Sequence, residues 1–351
     1  MAQCLIEARK AREFRKPIVA AVLESLARVL PHAPGMRACI ESWPGDIAGA
    51  GVIFRLNAGL HALARSGRDR DLQAICRAAE AGKLPLPQDL DRALTATLAC
   101  HTADLMQWMA GPTQTNEVAR VAGLVAALME LGARAPMPVE LLELGASAGL
   151  NLNFPHYCCQ VGSALCGDPA SHVRIAPGWR GREVPAVPVA LDRAVGVDLN
   201  PLDIRLDEDC ERLHAYIWAG EQERDKRLNA AIALARTFPP RVDAGLASRW
   251  LARKLATPQR EGYRRVVFHS MVVQYMPEVE RRAVDAALAL AAASACASRP
   301  LVRVGMEWSA DRSAVELCVT MWDGSARSGR RTVVAHCHPY AEWFEWHGLE
   351  G

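Results

Sequence analysis

The chain has 351 residues, half of them apolar, with 41 Lys and Arg set against 39 Asp and Glu. That is ample material for a large core and, by length alone, for two domains. The net charge of only +2 excludes binding to nucleic acid or to an anionic membrane through bulk charge, so neither is an expected partner.

Read in chain order, the first 133 residues are almost all helix. Residues 1–30 predict one amphipathic helix, broken at Pro31 and Pro34, and SWPGD at 42–46 is a loop. Residues 47–67 have helical apolar spacing and end at Gly67. Residues 69–82 start at Asp69 or Asp71 and stop at Gly82; 89–111 and 113–133 follow, the last with Thr113 or Thr115 as its cap. The N-terminal MAQCLIEARKAREFRK is charged and lacks an apolar leader core, and no apolar run is long enough for a bilayer. The 11 cysteines are odd in number, irregular in spacing and contain no C-x-x-C pair, so free thiols in a reducing cytoplasm are expected.

At Pro136 the pattern changes to strands alternating with helices, which predicts parallel βαβ units. The strands are expected at 138–144, 194–198, 240–243, 265–269 and 301–307, with helices from 149, over 207–237, 246–257 and 277–297. Two last strands, 314–322 and 331–338, are joined by DGSARSGR as an antiparallel hairpin. Residues 155–193, rich in Gly and Pro, form an insertion. The expected organisation is a helical N-terminal domain over 1–135 and a Rossmann-like domain over 136–351, an α/β fold with a seven-stranded, mostly parallel sheet.

The segment Glu143-Leu-Gly145-Ala-Ser147-Ala-Gly149-Leu-Asn151 follows an apolar strand and opens a helix, the setting of a nucleotide turn. Gly145 permits a tight turn, Gly149 permits close approach of backbone to a ligand, and small residues between keep the turn low. Amide groups at the helix start then face a carboxylate or phosphate. The dinucleotide pattern G-x-G-x-x-G needs glycine where Leu150 stands, which disfavours a nicotinamide dinucleotide. At the second strand's end, Asp198 is placed to hold a ribose through both hydroxyls, or else to cap a turn; Asp203 reads as a cap. Asp243, ending the third strand, reads as a helix cap.

His269 and Ser270 end the fourth strand, at the crevice where ligands of such sheets bind. His269 is a candidate general base, or simply a hydrogen-bonded strand-end histidine. Ser270 shares the site, and Gln274 and Tyr275 are placed to orient a substrate. Glu307 closes the fifth strand, facing a cavity or an arginine. His336 and His338 alternate to one face, but with no third ligand a metal is not expected. Glu117 and Arg120 are spaced for an i, i+3 ion pair, and Trp218 with Glu221, Arg224 and Arg227 forms a polar-aromatic group.

QTNEVAR, LLELGASAGLNL, VDLNPLDI, IWAGEQERDKRL, VFHSMVVQYM and HPYAEWFEW together resemble a bacterial domain-of-unknown-function family over nearly the whole chain. That family brings no assigned activity, so the resemblance transfers no catalytic residue. Its ELGASAGLN segment is similar to motif I of class I S-adenosylmethionine-dependent methyltransferases, with Ser147 in place of the middle glycine. That similarity implies a cofactor site at Glu143, Gly145, Ser147, Gly149, Asn151, Asp198 and Asp243, with Glu143 on the methionine amino group. The chain departs from its family after GLNL, where it reads NFPHYCC, and lacks a glycine before Asp243. The expectation is methyl transfer from S-adenosylmethionine to a small molecule, with His269, Ser270 and Tyr275 as candidate catalytic residues. The competing expectation is a regulatory protein that binds a nucleotide without turnover.

Overall fold

The computed structural model describes residues 1–349. It divides into two compact units, Met1–Thr115 with Arg205–Lys226, and Asn116–Ile204 with Arg227–Gly351. The division differs from the single boundary expected at 135. Residues 116–135 go with the sheet, and a segment between two strands goes with the helices.

The first unit is helical: α1 (Ala2–Glu13), α2 (Pro17–Val29), α3 (Pro34–Glu41), α4 (Val52–Arg65), α5 (Arg70–Glu80), α6 (Pro87–Cys100), α7 (Thr102–Ala110) and α9 (Asp207–Ala215). The helix expected over 1–30 is two, because Arg15 takes a left-handed φ of 58° and Pro17 restarts the chain at a helical N1 position. The helix expected over 89–111 also divides, at His101. Asp69 caps α5 as expected, its Oδ1 accepting from the Leu72 amide at 2.9 Å. The core gathers Leu23 and Leu26 of α2, Leu56 and Leu60 of α4 and Leu90 and Leu94 of α6, with Trp218 from the returning segment. Each fully buried side chain of this kind contributes about 1.5–3 kcal/mol.

The second unit is mixed α/β. A helix, α8 (Val121–Arg134), precedes β1 (Val139–Leu144). A 3-10 turn over Leu150–His156 and a small three-stranded sheet follow, of β2 (Cys158–Val161), β3 (Ala164–Gly167) and β4 (Arg174–Ile175). The chain continues with β5 (Gly178–Gly181), β6 (Leu191–Asp198), α10 (Gln222–Thr237), β7 (Val242–Ala244), α11 (Ala247–Ala256), β8 (Arg264–Ser270), α12 (Glu278–Ala292) and β9 (Leu301–Trp308). It ends with β10 (Val315–Trp322), β11 (Arg331–Cys337) and β12 (Trp343–Trp346). Helix α10 begins in the first unit and continues into the second.

The large sheet has nine strands in the order β5-β12-β11-β10-β9-β8-β1-β6-β7. Its five parallel strands, β1, β6, β7, β8 and β9, lie 3-2-1-4-5 in order of appearance. All seven expected strands form, but seven is too few and the closing hairpin is too short. The chain runs β9 to β12 as an antiparallel meander, and β5 from the Gly/Pro-rich segment pairs in parallel with β12 as the edge. The helix expected from 149 is a 3-10 turn, with Pro155 inside it.

The two faces of this sheet are distinct. Leu142, Leu144, Val195, Val197 and Val267 pack with Trp250 and Leu251 of α11 and with Val284 and Leu288 of α12. On the other face lie Phe268, Val304, Met306 and Leu317, none measurably exposed, and α8. A Cβ on Gly123 of α8 would stand 3.0 Å from Leu317, so glycine there lets the helix sit close on the sheet. Among the described residues no helix is long and apolar enough to cross a membrane. The eleven cysteines are all free.

Candidate functional site

A chain that runs 3-2-1-4-5 reverses direction across the sheet between β1 and β8. In open α/β sheets that switch point opens a crevice at the strands' carboxyl ends. The turn after β1 lies there, and its backbone is held tightly. The Gly145 and Ala146 amides donate to the Val197 carbonyl at 2.9 and 3.0 Å, and Gly149 donates to Ala146 at 2.7 Å. Gly145, Ser147 and Gly149 have φ of 69°, 54° and 74°, three left-handed residues in five. Ser147 thus adopts a glycine-like conformation with a side chain present, at a cost on the order of 1 kcal/mol. Asp198 helps hold it: Oδ2 accepts from the Ser147 amide at 2.8 Å and Oδ1 from the Asn200 amide at 2.9 Å. Asp198 therefore serves the turn, with two of its roughly four lone-pair directions taken.

Neighbouring protein alone is enough to require both glycines. A Cβ on Gly145 would lie 2.4 Å from Val272 Cγ2, and one on Gly149 would lie 2.6 Å from Val242 Cγ2 and 2.9 Å from Pro240 Cβ. Glycine at 149 is thus required by the start of β7, independently of any ligand.

Glu143 is the unusual group. It is 1% exposed, and its Oε1 accepts from Asn151 Nδ2 at 2.7 Å. Its Oε2, and the Oδ1 of Asn151, are buried with no hydrogen-bond partner. Burial pushes its pKa up to about 8, against the help of Asn151 and with a contribution from the Asp198 charge. Tyr157, missed in the sequence, is fully buried in the same region, donates to the Leu150 carbonyl, and has its own pKa raised by burial and by Glu143. The Leu150 amide is held by Asn116 Oδ1 at 3.3 Å, which ties the QTNEVAR segment to the turn.

Register divides the remaining candidates between the two faces. Glu143 is level with Gly196 and with Phe268, so Asp198 and Ser270, each two residues on, share its face. His269 is level with Leu144, and Asp243 with Val197, so both stand on the α11/α12 face. Asp243 is engaged there: its Oδ2 accepts from Trp250 Nε1 at 2.7 Å and pairs with Lys254 at 3.2 Å. The indole bond first, then Lys254, lowers its pKa against the effect of burial. It neither caps α11 nor turns toward Glu143.

His269 is 3% exposed, with both ring nitrogens bonded. Arg303 Nε donates to its Nε2 at 2.9 Å, and Nδ1 lies 2.8 Å from Glu307 Oε1. A guanidinium only donates, so Nε2 accepts and the proton sits on Nδ1. Burial, and next Arg303, lower the His269 pKa. The ring is neutral and fixed, with no free nitrogen to serve as a base. Glu307 Oε1 also accepts from the Val272 and Val273 amides at 3.1 and 3.4 Å. The pair thus anchors the segment whose Val272 covers Gly145. Tyr275, in a 3-10 turn over Val273–Tyr275, is 37% exposed. Arg303 and Glu307 alternate with fully buried apolar residues along β9, a polar stripe that the sequence pattern carries.

The remaining candidates have partners of their own. Glu117 pairs with Arg227 at 3.0 Å, while Arg120 Nε donates to the Pro339 carbonyl at 2.9 Å. His336 meets His347 at 3.1 Å, and His338 accepts from the Tyr340 amide at 3.2 Å. Among the described residues no group of three or more His, Cys, Asp or Glu side chains is arranged to hold a metal ion.

Fold and turn together define a mixed α/β protein: a helical N-terminal region and a large, mostly parallel sheet with a glycine-bracketed turn at its switch point. Residues 3–346 match the family described as "Uncharacterized protein conserved in bacteria (DUF2332)", and the chain belongs to it. No curated protein and no solved structure matches the chain.

Proposed function

We propose that the second unit binds S-adenosylmethionine on the Glu143 face of the sheet and transfers its methyl group to a small molecule. The reading rests on one observation: a fully buried carboxyl at the carboxyl end of β1, next to a glycine-bracketed turn, with one oxygen that has no donor. An ammonium supplies what that oxygen lacks, and charge-assisted bonds of this kind are strong ones. The 3-2-1-4-5 strand order supports the location.

The residues fit the cofactor in part. Glu143 and Asn151 would hold its amino group, and the free lone pairs of Asp198 would meet its ribose. Asp243 does not fit, since it serves Trp250 and Lys254 on the opposite face. Bound there, the cofactor supplies an electrophilic methyl on sulfur. The chain's part is to orient it and to keep Glu143 paired, with Ser270 as the strand-end polar group on that face. The bonding of both His269 nitrogens favours the second reading, binding without turnover.

Isothermal calorimetry with S-adenosylmethionine, S-adenosylhomocysteine and a nicotinamide dinucleotide separates these classes. Heat is expected from both adenosyl ligands and none from the dinucleotide, with affinity about tenfold weaker in Glu143→Gln. Silence from both adenosyl ligands at millimolar concentration would sink the proposal.

A further inference from the structure

At the amino ends of β8 and β9, the α11/α12 face opens a cleft of about 330 Å3 flanked by the last turns of both helices. It lies at the other end of the strands from the switch-point crevice. Leu255 of α11, Ala291 of α12, Ala295 and Leu301 give it an apolar wall. Arg265 and Arg299 give it a charged one, and among the described residues no Asp or Glu lines it.

The two guanidiniums have donors to spare. Arg265 is 5% exposed, so its position is built into the fold. Its Nε donates to Glu140 Oε2 at 2.6 Å, and its Nη1 donates to the carbonyl of Thr257, the residue that ends α11, at 3.0 Å. Two of its five N–H hydrogens are thereby used, and Nη2 donates to no described group. Arg299 is exposed, stands beside the Cys296 thiol, and has no carboxylate partner among the described residues.

Charge points the same way. Glu140 is shared between Arg265 and Arg193, so one carboxylate answers two guanidiniums. The carboxyl ends of α11 and α12 bring about half a negative charge each. Three guanidiniums against one carboxylate and two helix ends leave a surplus of about one positive charge. That surplus suits a monoanion better than a phosphate dianion. Size narrows the class further. A cavity of about 150 Å3 holds benzene, so one of about 330 Å3 takes roughly a dozen non-hydrogen atoms. We infer that the cleft binds a small organic monocarboxylate with an apolar body, its carboxylate between Arg265 and Arg299 and its body against Leu255, Ala291 and Leu301. The site is on the opposite face from Glu143 and does not rest on the cofactor reading.

The test is calorimetric titration of the full chain with 3-phenylpropanoate, with 3-phenylpropan-1-ol, which lacks the charge, and with acetate, which lacks the body. Saturable heat is expected from 3-phenylpropanoate, and affinity at least about tenfold weaker for each analogue. Arg299→Gln, a surface change, should weaken 3-phenylpropanoate by about tenfold and leave the alcohol unchanged. Ser294→Leu, which narrows the cleft from its exposed rim, should weaken the acid as well. No heat from 3-phenylpropanoate at millimolar concentration overturns the inference. Equal binding of the alcohol overturns it by marking an apolar crevice, and equal binding of acetate by marking a simple anion site. Unchanged 3-phenylpropanoate affinity in either variant overturns it too. Adenosyl binding is measured separately, so either proposal fails alone.

Discussion

Glu143 and Glu307 are the same residue near the carboxyl ends of parallel strands in one sheet, and they live under opposite conditions. Glu143, on the α8 face, has one donor, an amide from Asn151, and burial pushes its pKa up to about 8. Glu307, on the α11/α12 face, gathers two backbone amides and an imidazole N–H on a single oxygen. The two carboxyls differ both in burial, the Glu307 side chain being 18% exposed, and in the number of donors aimed at them. Glu143 is left as a group that takes up a proton or a cation. Glu307 is an anchor that fixes a loop and a histidine. Each of them also keeps one buried oxygen without a partner.

The largest test of this contrast is the pH dependence of stability. The folded Glu143 carboxyl titrates near 8 and the unfolded one near 4.5, so between these values the folded chain holds the extra proton. Its contribution is complete below about pH 4.5 and is lost as pH rises through about 8. At about 1.4 kcal/mol per pH unit the full span is on the order of 5 kcal/mol. Urea denaturation across that window should show wild-type protein losing stability relative to Glu143→Gln as pH rises. Parallel curves would mean that Glu143 is not desolvated as the structure has it.

Next in size is the anchor. Glu307→Ala leaves His269 Nδ1–H and the Val272 and Val273 amides without their acceptor, at roughly 1–3 kcal/mol for each that stays dry. A loss of about 3 kcal/mol is expected, against less than half of that for Glu307→Gln, which keeps an oxygen in place. A loss below about 1 kcal/mol for the alanine variant would show that solvent replaces the carboxylate, and would remove the difference between the two glutamates.

Much of this was legible before the structure. Short apolar stretches and flanking turns locate all seven expected strands to within a few residues, as with the Leu141-Leu142 and Val266-Val267-Phe268 cores of VELLEL and RRVVFHS, which are buried on both faces. Strands β5 and β12 were not legible: GWRG and WFEW are short, and they pair across more than a hundred and fifty residues through contacts that no local window contains. The face of each site residue was hidden for a related reason. Alternation within a strand shows that Glu143 opposes Leu144, but only cross-strand register shows that His269 sides with Leu144. Asp243 misled similarly, since its partner Trp250 lies seven residues on, in a helix whose orientation the sequence does not state. The clue that was available and unused is the stripe Arg303, Gly305, Glu307 in an otherwise apolar strand. The serine in the glycine turn carried information as well: it occupies a left-handed position, which is why a glycine suits that place.

The smallest effect is spectroscopic, and it tests the anchor without disturbing it. Because Arg303 can only donate, His269 must be the neutral tautomer protonated on Nδ1. Long-range proton–nitrogen NMR should find Nε2 bare and the ring silent as pH falls through 6.5, since burial and Arg303 disfavour the imidazolium. The sign follows: with the folded pKa below the unfolded one, the contribution is present above pH 6.5 and is lost as pH falls further. Arg303→Met frees Nε2 and removes the nearby positive charge, so the ring should begin to titrate at higher pH than in the wild type. A wild-type ring protonated on Nε2 would break the chain from Arg303 through His269 to Glu307. It would also return His269 to the list of groups able to exchange a proton with a substrate, and the two faces of the sheet would no longer divide into one that takes up charge and one that holds the loop.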